Sequence, residues 1–118
     1  FTGDAPSLLE SQLVALHAPL TADVLKVSHH GSRGSSATEF LKVVNPSTAL
    51  ISCGKGNDYG HPHADALQRL RTQGAQVRRP DLEGAYEVTT AGDHLAGEAP
   101  DELLDFKSEA GIGRKQYE

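Results

Sequence analysis

Val24-Leu25-Lys26-Val27-Ser28-His29-His30-Gly31-Ser32 is a β-branched run that stops at two histidines and opens into a Gly-Ser loop. Its length and valine content predict a strand, and the Ser-Arg-Gly-Ser-Ser tract after Gly31 predicts loop. Successive strand side chains face opposite sides of a sheet, so Lys26, Ser28 and His30 are expected on one face and Leu25, Val27 and His29 on the other. On that reading the two histidines cannot play equal parts.

Working outward, Phe1-Thr2-Gly3-Asp4 reads as the end of a strand breaking into a turn, with Asp4 at its carboxyl end. Ser7 and Glu10 have capping-box spacing, and Leu8, Leu9, Leu13 and Leu16 recur at helical intervals that would bury one stripe. Pro19 blocks continuation of that helix. Ala37 to Val44 is expected to form a short helix with Phe40, Leu41 and Val44 inward, ended by Asn45-Pro46. Thr48 to Cys53 is the next strand, apolar enough to be buried on both faces, and Gly54 to Gly60 reads as a long flexible loop. Pro62 suits the first turn of a helix whose inner face is Ala66, Leu67 and Leu70 and whose stop is Gly74. Ala75 to Arg79 and Ala85 to Thr90 read as a hairpin joined by Pro80 to Gly84. The fold class is α/β, a strand-helix alternation ending in a β-hairpin. The chain divides into a folded part, 1–95, and an acidic, mobile tail, 96–118.

The bulk properties narrow the function. At 118 residues there is room for one domain or part of one, and a net charge of −5 disfavours gripping nucleic acid by broad phosphate neutralisation. The single Cys53 excludes an internal disulfide, and it is expected to be a small core residue. No stretch approaches the roughly 20 apolar residues that span a bilayer. The chain reads as soluble. It starts without methionine and contains none, and is expected to be a fragment of a longer protein.

Three groups can carry chemistry: Asp4, the pair His29 and His30, and the pair His61 and His63. Carboxylate plus imidazole suits zinc, manganese or iron. Each piece alone has a bland reading as turn, cap or exposed residue. Together they are less easily dismissed, since four of six histidines sit at two loop-helix junctions. All lie at the carboxyl ends of strands, where α/β sheets build their sites. Ser32 lacks a Gly-x-Ser-x-Gly elbow, and Gly54-Lys55-Gly56 lacks Walker-loop spacing. His17 and His94 have no partner motif.

Thr2-Gly3-Asp4, the run Ala22 to Ser32 and Tyr59-Gly60-His61-Pro62-His63 together resemble the carboxyl-terminal half of the metallo-β-lactamase-like domain of ComEC/Rec2 competence proteins, over roughly Phe1 to Thr90. The resemblance implies half of an αββα sandwich and a metal-dependent hydrolase acting on DNA phosphodiester bonds during natural competence. It matches Asp4 to a metal-bridging aspartate and the His29-His30 pair to a final histidine element. Strand parity then favours His30 as the metal ligand, leaving His29 to contact substrate or to support the ligands from behind. His61 and His63 would join His29 in catalysis, with Lys26, Ser32 and Tyr59 as substrate-binding residues. The implied cofactor is a divalent metal, zinc or manganese, in the intact parent. The family's His-x-His-x-Asp-His-type motif is not in this chain, so metal binding is expected to be weak or absent here and the chain alone inactive. Implied partners are DNA, as a single strand or incoming duplex, the remainder of a parent protein in the bacterial cytoplasmic membrane, and a second copy of this chain through an open sheet edge. The alternative is a non-catalytic DNA- or partner-binding module. Gly111-Ile112-Gly113-Arg114-Lys115 is faintly similar to a helix-hairpin-helix turn, without a second helix after it.

Overall fold

The computed structural model describes residues 1–90, 92 and 95–98. Three short strands, β1 (Val24–Lys26), β2 (Thr48–Leu50) and β3 (Gln76–Arg78), form a parallel sheet in the order β1-β2-β3. Their register aligns Leu25 with Ala49 and Ala49 with Val77. The crossovers carry the helices α2 (Thr38–Val44) and α3 (Ala64–Thr72), while α1 (Ser7–Ala15) precedes the sheet and packs on α2. The core lies between the sheet and these helices: Leu25, Val27, Ala49 and Ile51 from the strand runs meet Phe40, Leu41, Val44, Leu67 and Leu70. Each such side chain contributes about 1.5–3 kcal/mol on burial. The opposite sheet face presents Val24, Lys26 and Leu50 half-buried, so β2 is closed on one face only.

The expected inner faces of α2 and α3 are buried, and the expected stops hold: Asn45 is left-handed (φ 49°) and Gly74 takes φ 89°. Several other expectations are corrected. Residues 1–4 form a turn, not a strand end, although Thr2 Oγ1 donates to the Lys26 carbonyl (3.0 Å) and His29 N donates to Gly3 O (2.9 Å), so the segment runs along β1. Helix α1 has no side-chain cap, so Ser7 and Glu10 form no capping box. Leu8, Leu9 and Leu16 are exposed, and the one buried residue of α1 is Glu10. Pro62 lies before α3, whose N-cap is His63. Cys53 is half-buried at the edge of the core.

The hairpin is also rearranged. Arg79-Pro80-Asp81-Leu82-Glu83 forms a single helical turn, α4 (Pro80–Glu83), because Pro80 suits the first position and Glu83 Oε1 accepts from Arg79 N at 3.0 Å. Arg79 and Asp81 close a bidentate pair at 3.1 and 2.6 Å. The chain therefore leaves β3 in the parallel sheet, and the antiparallel hairpin is made by β4 (Glu87–Thr90) and β5 (Leu95–Glu98). Of the expected tail 96–118, residues 96–98 belong to β5, and residues 99–118, with the Gly111–Lys115 stretch, lie outside the described residues, as does His94. No helix of the described residues is long and apolar enough to cross a membrane.

Candidate functional site

The decisive local event is that β1 stops at Lys26. Ser28–Gly31 is a tight turn in which His29 (φ 47°, ψ 46°) and His30 (φ 54°, ψ 25°) are both left-handed. Alternation along a strand cannot extend through left-handed residues, so the parity that set His29 against His30 does not apply. Both imidazoles instead stand exposed at the carboxyl end of β1, with ring centroids 6.4 Å apart.

Gly31 (φ 80°) closes the turn against the second histidine motif. A Cβ placed there would lie 2.6 Å from Pro62 Cβ, so only glycine admits the contact. The Gly31 carbonyl accepts from His63 N at 2.9 Å, and Arg33 N donates to His63 Nδ1 at 3.0 Å. These contacts bring His61 to 5.6 Å from His29 and 6.1 Å from His30, with His63 4.9 Å from His61, all centroid to centroid. Asp4 joins from the first segment, its Oδ1 3.9 Å from His30 Nε2. The sequence-selected Asp4, His29, His30, His61 and His63 are thus one cluster.

Hydrogen bonding distinguishes the rings. His30 Nδ1 lies 2.6 Å from the Ser52 carbonyl, which can only accept, so Nδ1 carries a proton and Nε2 is the nitrogen that faces Asp4. His63 is the reverse: its Nδ1 accepts from Arg33 N, and Nε2 carries the proton in the neutral ring. His61 is held below the ordinary imidazole range by desolvation, reinforced by His63, His29 and His30. Tyr59 is exposed and stacks on His61 at 5.7 Å and 20°, and His61 stacks on His30 at 23°. Of the other expected substrate residues, Lys26 Nζ donates to the Val27 carbonyl (3.2 Å) and Ser32 Oγ accepts from Gly34 N (3.3 Å).

Three supporting residues escaped the sequence reading. Asn57 orders the 54–60 loop, which is therefore not free: its amide nitrogen donates to the Gly54 and His61 carbonyls (2.9 and 2.6 Å), and its oxygen accepts from Tyr59 N and His61 N (3.2 and 2.9 Å). An asparagine in a glycine-rich loop was the available signal. Arg69 on α3 donates to the carbonyls of Arg33, Ser35 and Ser36 at 2.8–3.0 Å. Glu10, fully buried, accepts from Ser36 N and Ala37 N, both at 2.8 Å. Nothing in a helical leucine pattern marks the glutamate as the inward residue.

The resemblance implies a metal centre, and the described residues do not fit one by themselves. No group of three or more His, Cys, Asp or Glu among them is arranged to hold a metal ion. Asp4 and His30 are a converging pair and no more.

The imidazoles and the carboxylate gather at the carboxyl-end edge of a parallel α/β sheet, the edge at which α/β proteins build catalytic and binding sites. The chain is 43% identical over 86 residues to ComE operon protein 3 of Bacillus subtilis, covering 73% of the chain and 11% of that protein. It is 39% identical over 87 residues to competence protein ComA of Neisseria gonorrhoeae, with 73% and 13% covered. It is 33% identical over 94 residues to recombination protein 2 of Haemophilus influenzae, with 80% and 12% covered. No family model and no solved structure matches the chain. The chain is a relative of the ComEC/Rec2 competence proteins, and it spans little more than a tenth of the length of the curated relatives it matches.

Proposed function

We propose that this chain is part of a metal-dependent hydrolase domain of a DNA-uptake protein of natural competence, acting on DNA phosphodiester bonds. The fold in this reading is the carboxyl-terminal half of a metallo-β-lactamase-like αββα sandwich. The observation that carries it is the convergence of Asp4, His29, His30, His61 and His63 at the carboxyl ends of β1 and β2. A zinc or manganese ion belongs to the intact parent in this reading: among the described residues Asp4 and His30 converge as a ligand pair, and no group of three or more His, Cys, Asp or Glu is arranged to hold a metal ion. The parent is membrane-bound in this reading, and DNA is the partner of the cluster.

The chain's own residues do the following. His30 is held by Ser52 with its Nε2 outward, and Asp4 supplies a carboxylate beside it. His63 presents Nε2–H, a donor suited to a phosphoryl oxygen or a departing oxygen. His61 and Tyr59 offer a stacked aromatic surface on which an unpaired base can lie. That surface also supports the second reading, a non-catalytic module that docks DNA.

The test is cleavage of single- and double-stranded DNA with manganese or zinc. The full-length parent should cut, Asp4→Ala or His30→Ala should lower cutting by about a hundredfold, the scale of a disturbed metal site, and the 118-residue chain should be inactive. Robust turnover by this chain alone, abolished by Asp4→Ala, would overturn the half-site. Binding without cutting by the parent would select the docking module.

A further inference from the structure

Glu10 is an anomaly in an α-helix whose Leu8 and Leu9 are exposed. Its side chain is 0% exposed, and no Lys, Arg or His pairs with it among the described residues. A buried carboxylate is costly unless its oxygens are hydrogen-bonded. Here Oε1 accepts from Ser36 N (2.8 Å) and lies 3.1 Å from Ser28 Oγ, while Oε2 accepts from Ala37 N (2.8 Å). Ser28 is itself buried, and its one hydroxyl proton is shared between Glu10 Oε1 and Thr2 Oγ1, the latter at 2.6 Å.

Ser28 is the residue at which β1 gives way to the left-handed histidine turn. Thr2 belongs to the segment that carries Asp4 and accepts His29 N at Gly3 O. Left-handed backbone at two consecutive non-glycine residues is strained and persists only where its surroundings impose it. One of its supports, the Ser28 hydroxyl, meets the backbone of the following loop, Ser36 N and Ala37 N, at the Glu10 carboxylate.

We propose that Glu10 is a positioning residue for the imidazole cluster. Through the Ser28 hydroxyl it fixes the turn that brings His30 Nδ1–H onto Ser52 O and so turns Nε2 towards Asp4. This rests on the cluster being the working site, but its readout needs neither turnover nor metal, so a failure to cut DNA would count against the function and leave the positioning role standing.

The experiment records histidine ring-nitrogen NMR spectra of the 118-residue chain near pH 8, beside Glu10→Gln, Ser28→Ala and Val44→Ala. In the wild type, His30 should show separate protonated Nδ1 and unprotonated Nε2 signals. Glu10→Gln sets an amide N–H against a backbone N–H, and Ser28→Ala removes only the link to the turn; each should collapse the two His30 signals towards an averaged pair. Val44→Ala opens a cavity in the core at the end of α2 opposite Ala37, makes no change to the hydroxyl chain, and should leave them separate. Should Glu10→Gln fail to fold, Ser28→Ala decides, because Glu10 keeps its bonds to Ser36 and Ala37 there. Unchanged His30 signals in folded Ser28→Ala would overturn the proposal, as would the same collapse in Val44→Ala.

Discussion

Gly31 shows how much a single residue can carry here. Its φ of 80° and the 2.6 Å approach to Pro62 Cβ both forbid a side chain. We predict that Gly31→Ala destabilises the chain by about 2–4 kcal/mol, the scale of left-handed strain plus overpacking. Urea unfolding would measure it, and a loss below about 0.5 kcal/mol, typical of a neutral surface change, would mean the two histidine motifs are not locked together. Asn57→Asp replaces two donors facing carbonyls with acceptors and should cost about 1–3 kcal/mol while broadening the Tyr59 and His61 resonances. Sharp wild-type signals would dismiss that clamp. Cys53 is pushed up to about 11 by burial first and Asp81 second, against an ordinary 9.0, so its thiolate fraction near neutral pH is about a hundredfold lower. Iodoacetamide should label the folded chain correspondingly slowly, and labelling at the rate of a free thiol would refute the Asp81 contact.

At the scale of elements, the 31–37 connection is held from two sides of opposite polarity. Glu10 of α1 satisfies its amide donors, and Arg69 of α3 satisfies its carbonyl acceptors. This loop links β1 to α2 and also seats His63 through Arg33 N, so helix packing and imidazole placement are coupled. Lysine cannot reproduce a planar fork that spans three carbonyls. Arg69→Lys should therefore destabilise by about 1–3 kcal/mol, with amide exchange rising first at residues 33–37. Uniform acceleration across the whole chain would indicate a general loss of packing instead. The inner faces of α2 and α3 were legible because Phe40, Leu41, Val44, Ala66, Leu67 and Leu70 follow the helical period. Helix α1 was not: Leu8 and Leu9 point to solvent while Glu10, held by three hydrogen bonds invisible to a hydropathy pattern, takes the inward position.

For the whole molecule, the imidazole cluster couples pH to stability. The folded pKa of His61 lies below the ordinary 6.5 through desolvation and then its histidine neighbours, so the unfolded chain binds that proton more readily. Stability should be complete above about pH 6.5 and fall as the pH drops below it. Thermal melts from pH 8 to 5 should show a declining midpoint that His61→Asn flattens, and a midpoint that rises on acidification would contradict the sign. The sequence by itself determined the α/β class, the helix stops at Asn45 and Gly74, the candidate residues Asp4, His29, His30, His61 and His63, and the kinship with competence proteins. These are local or linear properties: periodicity, turn chemistry and motif order. Only the tertiary structure decided that β1 ends before the histidines, that β3 joins β2 in parallel instead of folding back onto β4, and that Glu10 turns inward. Those outcomes depend on hydrogen bonds between residues as far apart as Glu10 and Ala37 or Arg33 and Arg69, whose strength is set by burial and geometry that no local pattern encodes.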